Sequence, residues 1–320
     1  MKHGRGTLWS LIKLARPHQW VKGVFVLVGP LYGLKDLPPD RKEGALIAGL
    51  LTLAIFSLAS STCYVVNDLA DAEADRAHPR KRKRPIASGA VSRGTAIAFA
   101  LGLLGGCIVL VGLLDPSVRL AVGLIVAAYI ANVWLYSIKL KHIIIADVLS
   151  LALGFCLRMF AGCAAIAIAP TTWLLNCTLF IAMFLAFGKR LGERRTMGDD
   201  VAAARGVQAR YTDDLLRMAV VVTGVATLVT YASYVQFREP ENTHVIPPFH
   251  AGINVLWFTI VPATYALLRC IVLLERGTYD DPTELAAKDL PMQLAVGLFG
   301  VLTIGALTWK AWAPSLGWGL

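Results

Sequence analysis

The run Asn67-Asp68-Leu69-Ala70-Asp71-Ala72-Glu73-Ala74-Asp75 spaces three carboxylates and a carboxamide so that one helix would bring them onto one side. At about 100° per residue, Asn67, Asp71 and Asp75 step round by only about 40° each, and Asp68 lies about two turns before Asp75. Glu73 points elsewhere. No turn residue separates this run from the apolar stretch before it, so the helix is expected to continue through it. Hard oxygen donors with room for water and phosphate are what Mg2+ takes. Carboxylates this close repel one another unless something positive lies between them. Asn67, Asp68, Asp71 and Asp75 are therefore the candidate Mg2+ ligands, and Asp68, Asp71 and Asp75 the candidate catalytic residues. Six basic residues follow in the next nine positions, ending at Arg84-Pro85, and supply counter-charge for a condensed phosphate. A solvated helix start, with acids beside a basic run for solubility, is the plainer alternative. The spacing, at the mouth of a long apolar run, favours a metal–diphosphate site.

Other polar groups stand at the ends of apolar runs on the same side. Arg16-Pro17-His18-Gln19-Trp20-Val21-Lys22 puts Lys22 at the mouth of the first run. Within the basic stretch Arg80–Arg84, Arg84 is nearest the membrane, Pro85 ends the stretch and Gly89 permits a turn. Lys139 and Lys141 sit in the very short loop ending at His142, as topological anchors or as diphosphate ligands. Asp147 and Arg158, eleven apart, fall within about 20° on one helix face but about 16 Å apart in depth. They cannot pair, yet could line one polar channel, since ionisable residues at depth usually face a polar cavity. In Gly188-Lys189-Arg190-Leu191-Gly192-Glu193-Arg194-Arg195 the one acid, Glu193, is surrounded by cations. Lys189 and Glu193 could form a simple i,i+4 pair, but Lys189, Arg190 and Glu193 look better suited to gripping a phosphate than to holding a second metal.

These groups need elements to position them, and the composition says which. Of 320 residues 56% are hydrophobic and 16% charged, with a mean hydropathy of +0.61, against about 45–50% and about 25% for soluble domains. Lipid is the implied solvent. Nine runs are candidate spans, near Val24–Leu34, Ala45–Val66, Thr95–Leu114, Val118–Ile138, Ile143–Ile168, Thr172–Gly188, Leu216–Gln236, Ile253–Leu274 and Met292–Ala313. The first is short and is expected to begin before Val24. With the N-terminus inside, 24 of the 31 Lys and Arg fall on the cytoplasmic side, as the positive-inside rule requires. The expectation is a multi-pass protein of the inner (cytoplasmic) membrane, its N-terminus and active-site loops cytoplasmic and its C-terminus outside. The formal charge of +10 reflects this topology; the basic runs are too short for a nucleic-acid partner. Residues 1–22, with five basic residues, no acid, and Trp9 and Trp20 as anchors, resemble an interfacial helix. No removable signal peptide is evident.

All six cysteines lie in apolar runs without metal-ligand spacing, and read as small buried hydrophobes. No linker rich in Gly, Ser or Pro interrupts the chain, so one domain over 1–320 is expected, with active-site loops at 67–94 and 189–215. Oligomeric state is not legible, and a homo-oligomer is compatible with the sequence.

At Asn67-Asp68-x-x-Asp71-x-x-x-Asp75 the chain resembles the UbiA superfamily of intramembrane prenyltransferases, all-α membrane bundles of nine transmembrane helices. Arg16–Lys22, Asn67–Pro85, Lys139–His142, Arg158-Met159-Phe160-Ala161-Gly162, Gly188–Glu193 and Pro282-x-Glu284-x-x-x-x-Asp289 are similar to the decaprenyl-phosphate phosphoribosyltransferase branch. Aromatic prenyltransferases of the superfamily carry a second aspartate motif where this chain has Gly188–Arg195. The resemblance therefore implies Mg2+-dependent transfer of 5-phosphoribose from phosphoribosyl diphosphate to a polyprenyl phosphate among membrane lipids. It implies Lys22, Arg84, Lys139, Lys141, Arg158, Lys189 and Arg190 as phosphate ligands, with Glu193 orienting them or a ribose hydroxyl. It further implies a cell-wall precursor as product in some bacteria. The rival within the fold moves a prenyl group from its diphosphate to an aromatic acceptor. A transporter lined by Asp147 and Arg158 is the rival outside it, but the matched broken helices typical of transporters are not evident.

Overall fold

In the computed structural model, residues 2–33, 37–77, 81–197, 211–245, 252–277, 285 and 288–309 are described. They are helical almost throughout. The helices are α1 (Lys2–Ala15), α2 (Val24–Gly33), α3 (Pro39–Ala70), α4 (Ala72–Ala77), α5 (Arg93–Gly112), α6 (Pro116–Ile138), α7 (Ala146–Ala165) and α8 (Thr172–Met197). They continue with α9 (Asp213–Phe237), the short α10 (Glu239–Asn242), α11 (Ile260–Glu275) and α12 (Leu290–Leu307). Thr243–Val245 and Gly252–Asn254 form a small antiparallel pair between α10 and α11.

Eight of the described helices are long and apolar enough to cross a bilayer. The expected span near Val24–Leu34 is not among these eight: α2 has ten residues, but it continues directly from the 3-10 helix Pro17–Gly23, so this helical run begins before Val24, as expected. Sequence signals fix several helix starts. The Ser92 side chain accepts from Thr95 N–H, Asp115 from Ser117 N–H ahead of Pro116, Thr212 from Leu215 N–H, and Asp289 from Met292 N–H. Each satisfies an orphan donor of a first turn, and proline near the start gives up no bond.

The chain forms two compact units, residues 1–139 with 153–170, and residues 140–152 with 171–320. In the first, Ile55, Phe56 and Ala59 of α3 pack with Cys107 of α5, Val122, Val126 and Tyr129 of α6, and Ala161 of α7. Small residues set the closest approach, as in other membrane bundles: a Cβ on Gly162 would collide with the carbonyl oxygen of Val26 in α2. A second cluster of the same unit joins Leu14 of α1, Val65 of α3, Ala72 of α4, and Ala96 and Ala100 of α5 to Ile86 and Val91. The chain doubles back there through Gly89, at φ 76. In the second unit Phe184, Phe187 and Leu191 of α8 pack with Leu216 and Val220 of α9, Cys270 and Leu274 of α11, and Met292 of α12. Leu101, Leu120, Leu124, Val222, Leu294 and Val301 point outward, as lipid-facing side chains do. All six cysteines are free, and five are buried.

Candidate active site

The acidic stretch is not one continuous helix. The chain leaves α3 at Ala70, and Asp71 (φ −87, ψ 1) separates α3 from α4. Helical spacing nevertheless carries across, because Asp71 N–H donates to Asn67 C=O (2.9 Å) and Asp75 N–H to Asp71 C=O (2.8 Å). The break comes where buried helix gives way to an alternation of alanine and acid, so packing no longer holds the axis straight.

Two of the four expected ligands converge. Asp68 and Asp75, 3% and 2% exposed, are both reached by one nitrogen of Arg84: Nη1 donates to Asp68 Oδ1 at 3.1 Å and to Asp75 Oδ2 at 2.7 Å. Arg16 Nη2 donates to the same Asp68 oxygen at 2.6 Å and lies over the Tyr64 ring, 4.8 Å from its centroid. Asn67 and Asp71 are half-buried, and Asp71 makes no ion pair among the described residues. Glu73 turns away, exposed and paired with Arg93.

Arg16, Asp68 and Arg84 line a cavity of about 300 Å³ with Lys13, His18, Lys83 and Pro85. Burial, with the Arg16 and Lys22 cations beside it, pushes the His18 imidazole below the ordinary histidine range. Four permanent cations and one carboxylate therefore face a space large enough for a phosphate ester. Arg16 also takes a left-handed backbone (φ 53) just before Pro17, and Trp20 Nε1 donates to Ser61 Oγ (3.0 Å), which donates to Ala15 C=O (2.8 Å). These bonds pin the 3-10 turn Pro17–Gly23 to α3. Sequence reading chose Lys22 from the first stretch and did not single out Arg16, Lys13 or His18, while Lys83 lay within the basic run Arg80–Arg84 read as phosphate counter-charge. The available signal for Arg16 was a cation followed by proline at the end of an amphipathic helix.

The donor set fits Mg2+ of the kind completed by substrate. Among the described residues no three carboxylate, imidazole or thiol groups stand close enough to hold an ion alone. Mg2+, however, commonly takes one or two carboxylates and fills its octahedron with water and phosphate oxygens. Asp68 and Asp75 offer such a pair, and a guanidinium nitrogen already occupies the cation position between them.

Arg158 is 7% exposed and belongs to the first unit. Its Nη1 donates to Gly154 C=O (2.9 Å) and its Nη2 to Tyr129 OH (2.7 Å) and Ser60 Oγ (3.2 Å). The Tyr129, Phe155 and Phe56 rings surround its charge at 4.5, 5.5 and 5.9 Å, and no acid pairs with it among the described residues. Asp147, in the second unit, has partners of its own: Tyr211 OH donates to Oδ1 (2.6 Å) and Arg190 Nε to Oδ2 (3.3 Å). Arg190 Nη1 donates to Glu193 Oε2 at 3.1 Å. Lys139 is exposed; Lys22, Lys141 and Lys189 are half-buried. Asp289 accepts from Arg269 (2.9 and 3.2 Å). Arg80, Pro282, Glu284 and residues 198–210 and 310–320 lie outside the described residues.

The UbiA prenyltransferase family profile matches residues 24–297. A Mycolicibacterium smegmatis protein named decaprenyl-phosphate phosphoribosyltransferase is 33% identical over 302 residues, 93% of this chain and 92% of that one. A Corynebacterium glutamicum protein of the same name is 33% identical over 287 residues, 89% and 82%. Among solved structures, a UbiA homolog from Archaeoglobus fulgidus bound to GPP and Mg2+ shares the fold at a TM-score of 0.63 and 14% identity, over 94% of this chain and 97% of that one.

Proposed function

The chain belongs to the UbiA prenyltransferase family, a multi-pass membrane enzyme, and from that premise we propose that it moves 5-phosphoribose from phosphoribosyl diphosphate to a polyprenyl phosphate, releasing diphosphate. The observation that carries this reading is the pair Asp68–Asp75 beside Arg16 and Arg84. Carboxylates for a divalent ion and guanidiniums for phosphate oxygens stand at one place. The relatives' name and the single acid in Gly188–Arg195 favour this donor over a prenyl diphosphate.

Asp68 and Asp75, with Asp71 and Asn67 half-buried beside them, would hold Mg2+. Bound there, the ion supplies Lewis-acid neutralisation of a leaving diphosphate. Arg16 and Arg84 hold diphosphate oxygens and stabilise the charge that grows as the C1–O bond breaks and its electron pair passes to the diphosphate. A lipid phosphate oxygen forms the new bond at C1 from the opposite face and inverts that centre. This nucleophile is already anionic at neutral pH, so no general base is needed. Arg158, charged and without an acid partner among the described residues, suits an anion; Lys22, Lys139, Lys141, Lys189, Arg190 and Glu193 remain proposed phosphate ligands. The active-site loops are proposed to face the cytoplasm across the inner membrane.

The test uses purified protein in lipid. One reaction receives labelled phosphoribosyl diphosphate and a polyprenyl phosphate, and a parallel one receives a prenyl diphosphate and an aromatic acid. Labelled lipid in the first alone is expected, with Asp71→Ala abolishing it. Product in the second alone would replace this reading with prenyl transfer to an aromatic acceptor.

A further inference from the structure

In the second unit a strained turn rests on one phenol. Ile145 adopts a left-handed backbone (φ 68), a conformation that a β-branched residue rarely takes. Its N–H donates to the Tyr211 hydroxyl at 2.8 Å, and the same hydroxyl donates to Asp147 Oδ1 at 2.6 Å. One hydroxyl thus uses its acceptor and donor capacity together. Asp147 is fully buried, and its other oxygen takes Arg190 Nε, while Arg190 Nη1 continues to Glu193. Tyr211 is itself fixed: 1% exposed, edge-on to Phe187 at 6.3 Å, its carbonyl accepting from Arg194 Nη1 at 2.7 Å. A connected chain therefore runs from the turn after Lys141 to Arg190 and Glu193, and Tyr211 ties it to the Ile145 backbone.

We propose that Tyr211 is a positioning residue for phosphate binding in the second unit, its hydroxyl setting the turn that follows Lys141 and, through Asp147, the orientation of Arg190. The proposal rests on the phosphoribosyl-transfer reading, in which Lys141 and Arg190 are phosphate ligands. Burial, with the hydrogen bond to Asp147, pushes the Tyr211 phenol above its ordinary range, so it stays protonated and keeps donating at working pH. A residue that merely filled the core would contribute through its ring, which Tyr211→Phe retains. The hydroxyl's role is separable by that substitution.

The experiment compares wild type, Tyr211→Phe and Tyr211→Phe/Ile145→Gly, full-length in lipid, by steady-state kinetics and amide exchange. For Tyr211→Phe the KM for phosphoribosyl diphosphate should rise about tenfold, the scale of one hydrogen bond to a buried charge, with kcat within about twofold. Exchange at the Ile145 amide should accelerate. Glycine enters the left-handed region without a side-chain clash, so Ile145→Gly should recover about half of the KM loss on a logarithmic scale. An unchanged KM, a fall in kcat alone, or a KM loss that Ile145→Gly leaves untouched overturns the proposal. Absence of phosphoribosyl lipid from wild type refutes the functional reading alone. The exchange comparison then decides the hold, faster exchange at Ile145 supporting it and unchanged exchange overturning it.

Discussion

Replacing Arg84 by glutamine removes the positive charge that one nitrogen places between Asp68 and Asp75. The two carboxylate oxygens can be no farther apart than those contacts laid end to end, about 6 Å. At an effective dielectric of about 20, two unit charges at that distance repel by about 3 kcal/mol. Arg16 stays on Asp68, and Arg84 is itself partly exposed, so screening trims the effect to a net loss of about 1–3 kcal/mol. Magnesium should reverse this loss, because an ion bound to the folded state stabilises it by RT ln(1 + [L]/Kd), about 2.7 kcal/mol at a hundredfold excess over Kd. In the wild type the ion must displace a guanidinium from the same oxygens; in Arg84→Gln it need not. The Tm of the purified variant in detergent should therefore start lower without Mg2+ and rise further on Mg2+ titration than that of the wild type. The same titration with Na+ at matched ionic strength controls for screening. A variant whose Tm ignores Mg2+, or gains no more than the wild type, would show that these carboxylates do not share a divalent-ion site.

Three further outcomes follow from other groups. Asp71 makes no ion pair among the described residues, so Asp71→Ala should abolish turnover while leaving Tm near wild type; a large fall in Tm would make the residue structural. Arg158→Met removes a buried cation without an acid partner, and Ser60 and Tyr129 remain bonded to each other at 3.1 Å. Apolar replacement of buried charge is often neutral or stabilising, so an undiminished Tm is expected, and a marked loss would contradict it. The hydrogen bonds from Arg269, then that from Met292 N–H, hold the Asp289 carboxyl below its ordinary range against the opposing pull of burial. A carboxyl depressed on folding contributes fully above the ordinary pKa of about 4, and loses that contribution as pH falls through the lower folded value. Asp289→Asn should flatten the acid limb of a Tm–pH profile below about pH 4; an unaltered limb would refute the pairing.

Membrane helices were legible because lipid demands long apolar runs and penalises stray charge. Eight of the nine expected runs became helices of spanning length; the remaining one, α2, continues from the 3-10 helix Pro17–Gly23, and Gly29 and Gly33 on it pack closely against Cys163, Ile166 and Ile168. Helical spacing alone brought Asp68 and Asp75 together on paper, and the backbone preserved that spacing across Asp71 despite the break. What stayed hidden were partners remote in sequence. Nothing near Asp68 announces Arg16, 52 residues earlier, and nothing near Asp147 announces Tyr211, 64 residues later. A shared helix face suggested that Asp147 and Arg158 line one channel; the side-chain partners that each takes, Tyr211 and Arg190 for Asp147 and Tyr129 and Ser60 for Arg158, come from elsewhere in the chain and were not announced by that face.

The contact of Gly162 with α2 carries a consequence for how the enzyme can vary. Alanine at 162 must push Val26 outward, and α2 follows without a break on the 3-10 turn Pro17–Gly23, next to Arg16. A single methyl in the bilayer interior would thus retune the grip on Asp68 without touching any polar atom. Lipid-facing leucines and valines are free to drift, whereas this position works as a spacer whose thickness the surface chemistry inherits.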